Sequence, residues 1–136
     1  VANSARAPLE AEFGADRITC HPGNFFEDSI PQGYDIVSLV RILHDHDDAP
    51  AAALLRSIHK SLRPGARLLL AEPMARIPGA EPMGEAFFGF YLWAMGSGRA
   101  RSPAEIAEMM KAAGFRKTRL IAGPQPVIAS MIVATA

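Results

Sequence analysis

Apolar runs punctuated by Pro and Gly divide this chain into short strands and amphipathic helices. The strongest run is Tyr34-Asp-Ile-Val-Ser-Leu-Val40, in which Ile36, Val37, Leu39 and Val40 leave neither face polar. Such a pattern predicts a fully buried strand of a parallel sheet. Beyond it, Leu54, Leu55, Ile58 and Leu62 recur at the spacing of one helical face, with Asp47 and Asp48 as N-cap candidates before Pro50. Pro64-Gly65 stops that helix, and Ala66 to Ala71 forms the next buried strand, ending at Glu72. A strand, a helix and a strand joined this closely predict parallel pairing with a right-handed crossover.

The flanks are read the same way. Val1 to Phe13 predicts a helix interrupted near Pro8 and closed by Gly14, and Arg17 to His21 a short strand ended by Pro22-Gly23. Pro31-Gln-Gly33 is a turn into the central strand. Residues from about Gly84 to Met95 form an aromatic helix that Gly96-Ser-Gly98 breaks. Ser102-Pro-Ala-Glu105 is a capping-box signature ahead of a helix whose inner face carries Ile106, Met109, Met110 and Ala113 and which ends at Gly114. Strands near Lys117 to Ile121 and Val127 to Val133 are joined by Gly123-Pro-Gln-Pro126, a link too short for a parallel crossover. The expected architecture is an α/β, Rossmann-like sheet, mainly parallel, with an antiparallel strand pair at its C-terminal end.

Chemistry is concentrated at one place. The loop after the central strand carries His44, Asp45, His46, Asp47 and Asp48, and ligands of open α/β sheets sit beyond the carboxyl ends of the strands. A neutral imidazole there suits a general base; a structural or solvated histidine is the plainer alternative. Metal ligation is a third, but the spacing matches no closed zinc pattern and Asp47 and Asp48 are accounted for as caps, so no metal is expected.

Composition adds bounds. With 136 residues, 49% apolar and 21% charged, one modest globular domain is expected. Fourteen basic and fourteen acidic residues cancel, which leaves no field favouring nucleic acid. The single cysteine, Cys20, excludes an internal disulfide, fits a reducing compartment and reads as an inert buried thiol. No apolar run reaches about 18 residues, so no membrane span is expected. No secretion signal is visible at the first residues, and a cytoplasmic location follows.

Several segments together resemble a known family. Leu39-Val-Arg-Ile-Leu-His-Asp-His-Asp-Asp48, His21-Pro-Gly-Asn-Phe-Phe26 and Arg63-Pro-Gly-Ala-Arg-Leu-Leu-Leu-Ala-Glu-Pro73 are similar to segments of S-adenosylmethionine (SAM)-dependent O-methyltransferases of the caffeate and acetylserotonin type. Phe90 to Ala107 resembles more specifically the bacterial hydroxyneurosporene (demethylspheroidene) O-methyltransferases of carotenoid synthesis. The likeness extends over nearly the whole chain. The family's Gly-rich first turn and its ribose-holding acid are absent, Asn24 stands where the family has aspartate, and Ala100 stands where plant members carry a second acid.

The resemblance implies that residues 1–136 are the C-terminal part of a methyltransferase catalytic domain, without the family's N-terminal dimerisation domain. It implies SAM as cofactor and a small hydroxylated acceptor, with a hydroxylated carotenoid first and a phenol or carbon acceptor as alternatives; a non-catalytic, truncated α/β module is the other reading of the chain. A homodimer is expected only of a longer, complete protein. His44 would be the general base and Glu72 the carboxylate orienting it. Asn24, Phe25 and Val40 would contact cofactor; Phe87, Tyr91 and Met95 would line the acceptor pocket or belong to the core. Asp45 would be a loop cap, and Arg99 and Arg101 solvated. Two sheet strands would be missing beside the central strand, leaving a bare edge, a poorly stable chain and weak or no SAM binding.

Overall fold

Four strands and four α-helices make up the computed structural model, which describes residues 2–121 and 129–136. The strands are β1 (Ile36–Val40), β2 (Arg67–Glu72), β3 (Arg116–Ile121) and β4 (Ser130–Thr135), and the helices α1 (Ala2–Phe13), α2 (Asp48–Ser61), α3 (Phe88–Met95) and α4 (Pro103–Ala112). The sheet order is β1-β2-β4-β3. β1 and β2 are parallel, while β4 runs antiparallel to both of its neighbours. Three strands therefore share one direction, and β4, inserted between β2 and β3, is reversed. The connecting residues Gly123 to Pro126 and the predicted strand start at Val127 lie outside the described residues.

The core is the seam between the sheet and the helices α2 and α4. Leu54, Leu55 and Ile58 of α2 meet Leu68 and Leu70 of β2, Ile132 and Ala134 of β4, and Ile106 and Met110 of α4. The capping box of α4 forms in full: the Ser102 hydroxyl accepts from the Glu105 N–H, and the Glu105 carboxylate accepts from the Ser102 N–H at 2.8 Å. Both orphan donors at that helix start are thus satisfied locally. α2 behaves differently. Asp47 is its N-cap, but its side chain makes no capping bond and instead accepts from the Gly98 N–H at 2.9 Å.

Several expectations are corrected. Arg17 to His21 is not a strand; it has no sheet neighbour to satisfy its backbone. Cys20, in that coil, is half-buried rather than buried. β1 is not a fully buried strand: Ile36 and Val40 are 59% and 56% exposed, because β1 lies at the edge of the sheet. Pro8 does not interrupt α1, which runs unbroken past it and buries no residue. The aromatic helix is not buried all round. It opens with a π-helical turn over Pro82–Phe87, and in α3 only Phe88 and Leu92 are buried. No helix among the described residues is long and apolar enough to cross a membrane.

Candidate active site

Strand register explains how His44 and Glu72 meet. Val40 pairs with Ala71, so Glu72 is the next residue beyond the last β1–β2 pair. At Arg41 the backbone turns through φ +55°, a conformation that costs a non-glycine residue about 1–2 kcal/mol. The chain then enters a single 3-10 turn over Leu43–Asp45, which carries His44 back toward Glu72. The His44 Nδ1–H donates to Glu72 Oε2. The other carboxylate oxygen, Oε1, accepts the N–H groups of Ile42 at 2.9 Å and Leu43 at 2.7 Å. Both residues are almost wholly buried, His44 at 4% and Glu72 at 2% exposure. Such a carboxylate is tolerated in the interior because three donors answer it.

The bond to Glu72 fixes the tautomer: Nδ1 holds the proton, so the neutral ring presents the Nε2 lone pair. Asp45 Oδ1 lies 3.2 Å from Nε2. The two atoms are close without being hydrogen-bonded. The His44 ring also stands edge-on against Phe88, with centroids 5.3 Å apart, and the Arg41 guanidinium sits 5.3 Å over the same Phe88 ring.

Two further groups flank this centre. Asn24 and Phe25 line a cleft of about 470 Å³ together with Val37, Leu39, Ile42 and Ile58. The Asn24 carbonyl oxygen accepts from the Phe26 N–H at 3.1 Å, an Asx-type turn that spends one of its two lone pairs on the chain itself. His46, two residues past His44, contacts the rings of Phe25 and Phe26 at 6.0 and 4.9 Å. Neither His44 nor Val40 lines the cleft; Val40 projects from the open sheet edge. On the other side, Phe87 and Tyr91 stack at 6.4 Å, and both reach Phe88, at 5.4 and 5.9 Å. Phe87, Tyr91 and Met95 are 57%, 43% and 52% exposed. Phe88 thus links His44 to two of the three expected acceptor-wall residues, while Met95 shares only their helix.

The sequence reading did not single out Phe88 from the aromatic helix, and it took Arg101 as solvated. Arg101 is not solvated: its residue is 2% exposed, and it donates to the Leu43 carbonyl at 3.0 Å and the His46 carbonyl at 2.7 Å. Arg99 is partly exposed and pairs with Asp48 and Glu105. Asp48 is held below the usual carboxylate range, first by its hydrogen bond from Arg99 and then by that from Arg101. Among the described residues no three His, Cys, Asp or Glu side chains converge as a metal ion would require.

These contacts place a buried histidine–glutamate pair at the end of the sheet, between a cleft of about 470 Å³ and an aromatic helix. The sequence pattern of the O-methyltransferase domain matches residues 1–116. The chain belongs to that family. Demethylspheroidene O-methyltransferase of Rhodobacter capsulatus is 46% identical over 115 residues, covering 83% of this chain and 29% of the relative. The Cereibacter sphaeroides enzyme of the same name is 40% identical, covering 98% of this chain and 35% of the relative. Acetylserotonin O-methyltransferase of Gallus gallus is 36% identical, covering 76% and 30%. Among solved structures, human N-acetylserotonin methyltransferase in complex with SAM superposes with a TM-score of 0.71 at 26% identity, over 85% of this chain and 32% of that one. Mitomycin 7-O-methyltransferase gives a TM-score of 0.83 at 29% identity, over 100% and 39%. The sheet is therefore that of the O-methyltransferase domain, and this chain spans about a third of the length of the relatives it matches.

Proposed function

We propose that this chain is the C-terminal part of the catalytic domain of a SAM-dependent O-methyltransferase, and that the acceptor is the hydroxyl of a hydroxylated carotenoid. One observation carries the reaction class: a histidine whose Nδ1–H is spent on the buried Glu72 carboxylate, which leaves Nε2 as a base at the carboxyl end of a parallel strand pair. Support for the acceptor comes from the demethylspheroidene relatives and from the apolar wall of Phe87, Phe88 and Tyr91 beside the base. A phenol is the second reading, favoured by the acetylserotonin relatives.

The cleft fits part of the cofactor. Its apolar lining and the second lone pair on the Asn24 carbonyl suit a flat base with an exocyclic amino group. Asn24 and Phe25 would hold that end. Val40 would act through its backbone at the sheet edge. SAM supplies a methyl group whose sulfonium charge disappears on transfer, so no oxyanion hole is needed. What remains for the protein is orientation, exclusion of water and removal of one proton. An aliphatic alcohol is too weak an acid to ionise beforehand, so His44 Nε2 takes the proton as the oxygen–carbon bond forms. Glu72 keeps the ring in the receptive tautomer.

The test uses the protein as its gene encodes it, including whatever precedes Val1. His44→Ala is expected to lower kcat by about 10²–10⁴-fold while SAM affinity stays within about twofold; unchanged turnover removes His44 from its role. Turnover of a tertiary carotenoid alcohol set against a phenol separates the two acceptor readings.

A further inference from the structure

The segment Ser97 to Arg101 lies across the 43–48 loop and answers it almost residue by residue. Ser97 Oγ donates to the Asp45 carbonyl at 3.1 Å, and the Gly98 N–H donates to Asp47 Oδ1 at 2.9 Å. Gly98 packs so closely that a Cβ there would sit 2.2 Å from the His44 carbonyl oxygen. Arg101 supplies the grip. Its Nη1 donates to the Leu43 carbonyl at 3.0 Å, its Nη2 to the His46 carbonyl at 2.7 Å, and Nε and Nη2 to Asp48 Oδ1 at 3.0 and 2.8 Å. The two carbonyls bracket His44. The backbone of Arg101 reaches the other half of the pair: its carbonyl accepts from the Ala75 N–H at 3.0 Å, three residues beyond Glu72.

We infer that Arg101 is a positioning residue for the catalytic pair: one residue ties the His44 loop and the segment after Glu72 to a common frame. The inference rests on the reading of His44 as the base. A guanidinium is suited to this because its planar fork serves two carbonyls and a carboxylate at fixed angles, which an ammonium cannot do. The side chain is 1% exposed, so water cannot replace those bonds when the fork is removed. A displacement of about 1 Å between reacting groups costs on the order of 10²-fold in rate, the scale on which such a frame should register.

The experiment compares Arg101→Ala, Arg101→Lys and Arg99→Gln in the protein as its gene encodes it, with kcat referred to folded molecules. Arg99→Gln is the control, since Arg99 meets only carboxylates and no carbonyl of the loop. Arg101→Ala should lower kcat by about 10–100-fold with KM for SAM within about twofold, and broaden the downfield His44 Nδ1–H resonance. Added guanidinium ion should restore part of the rate. Arg101→Lys should resemble the alanine variant rather than wild type, and carries the test alone if the alanine variant does not fold. Wild-type kcat and an unchanged resonance in Arg101→Lys, whatever the melting temperature, overturn the inference. The failure of the underlying reading looks different: His44→Ala would then turn over normally. An inactive His44→Ala beside a fully active Arg101→Lys removes the positioning role alone.

Discussion

Residues 2–35 and the rest of the chain are held by different means. No residue of the first 35 is buried among those described, whereas the whole buried core lies between Leu43 and Ala134. Arg6 reaches the Cys20 carbonyl at 3.0 Å, and His46 meets Phe25 and Phe26, but α1 packs no residue into the core. The total accessible surface, 8457 Å², exceeds the roughly 6,900 Å² of a compact monomer of this length. The difference matters for function. The His44–Glu72 pair and the strap over its loop, Ser97 to Arg101, are assembled within the well-packed region, while the cleft beside them has one wall drawn from the loosely held one.

The sharpest way to break this contrast is to cut one leucine from each region. Leu55 is 0% exposed within the core, and Leu55→Ala should cost about 2–5 kcal/mol in urea unfolding. Leu9, in α1, is half-buried and belongs to no buried cluster, and Leu9→Ala should cost below about 0.5 kcal/mol. Equal losses would show that α1 is part of the cooperative unit.

A pair of glycines tests the same division more finely. Gly98 (φ +83°) and Gly33 (φ +92°) both occupy the left-handed region, but a Cβ on Gly33 meets nothing within 4 Å. Gly33→Ala should therefore cost only the backbone strain, about 1 kcal/mol. Gly98→Ala adds a clash with the His44 carbonyl and should cost about 2–4 kcal/mol, with turnover lost alongside as the loop shifts. Similar melting temperatures for the two variants would mean that the strap does not bear on the loop.

The contrast also explains what the sequence could show. The capping box, the inner faces of α2 and α4, and the reversed final strand are set by local spacing, and each formed as read. The approach of Glu72 to His44 was legible because adjacent parallel strands bring their ends together. What a residue run cannot show is which faces find partners. Ile36 and Val40 carry the signature of a buried strand yet sit on an open edge, and the same absence of neighbours leaves Arg17 to His21 as coil. Phe90 and Trp93, apolar enough for a core, are 75% and 81% exposed. Arg101 was illegible for the converse reason: its burial depends on two carbonyls more than fifty residues upstream that no spacing rule connects to it.

Acid should loosen the strap in a defined window. The Glu105 carboxyl is lowered from 4.5 to about 2 by the Ser102 hydroxyl and N–H and, after them, by Arg99. A folded-state value below the unfolded one gives stability that is complete above about 4.5 and lost as pH falls toward 2. Asp48 is shifted in the same direction and adds to the slope. Glu105→Gln should cost about 1 kcal/mol or less at neutral pH, since the side chain is 42% exposed, and should flatten the acid limb of the unfolding curve. An identical acid limb in the variant would remove Glu105 from that role.

The smallest expected effect on the global melt is the most telling about α1. Pro8 lies at the seventh position of a twelve-residue helix, where it lacks an N–H and its ring crowds the carbonyl of Ser4. Replacing it with alanine recovers up to about 3 kcal/mol of helix propensity. In a helix coupled to the core that gain would raise the unfolding midpoint by several degrees. Because α1 buries no residue, Pro8→Ala should instead deepen the helical dichroism at 25 °C, as about a dozen residues would allow, and leave the cooperative midpoint where it was. A midpoint that rises with the dichroism would place α1 inside the folding unit, and the cleft wall that follows it would then be as firmly supported as the histidine–glutamate pair.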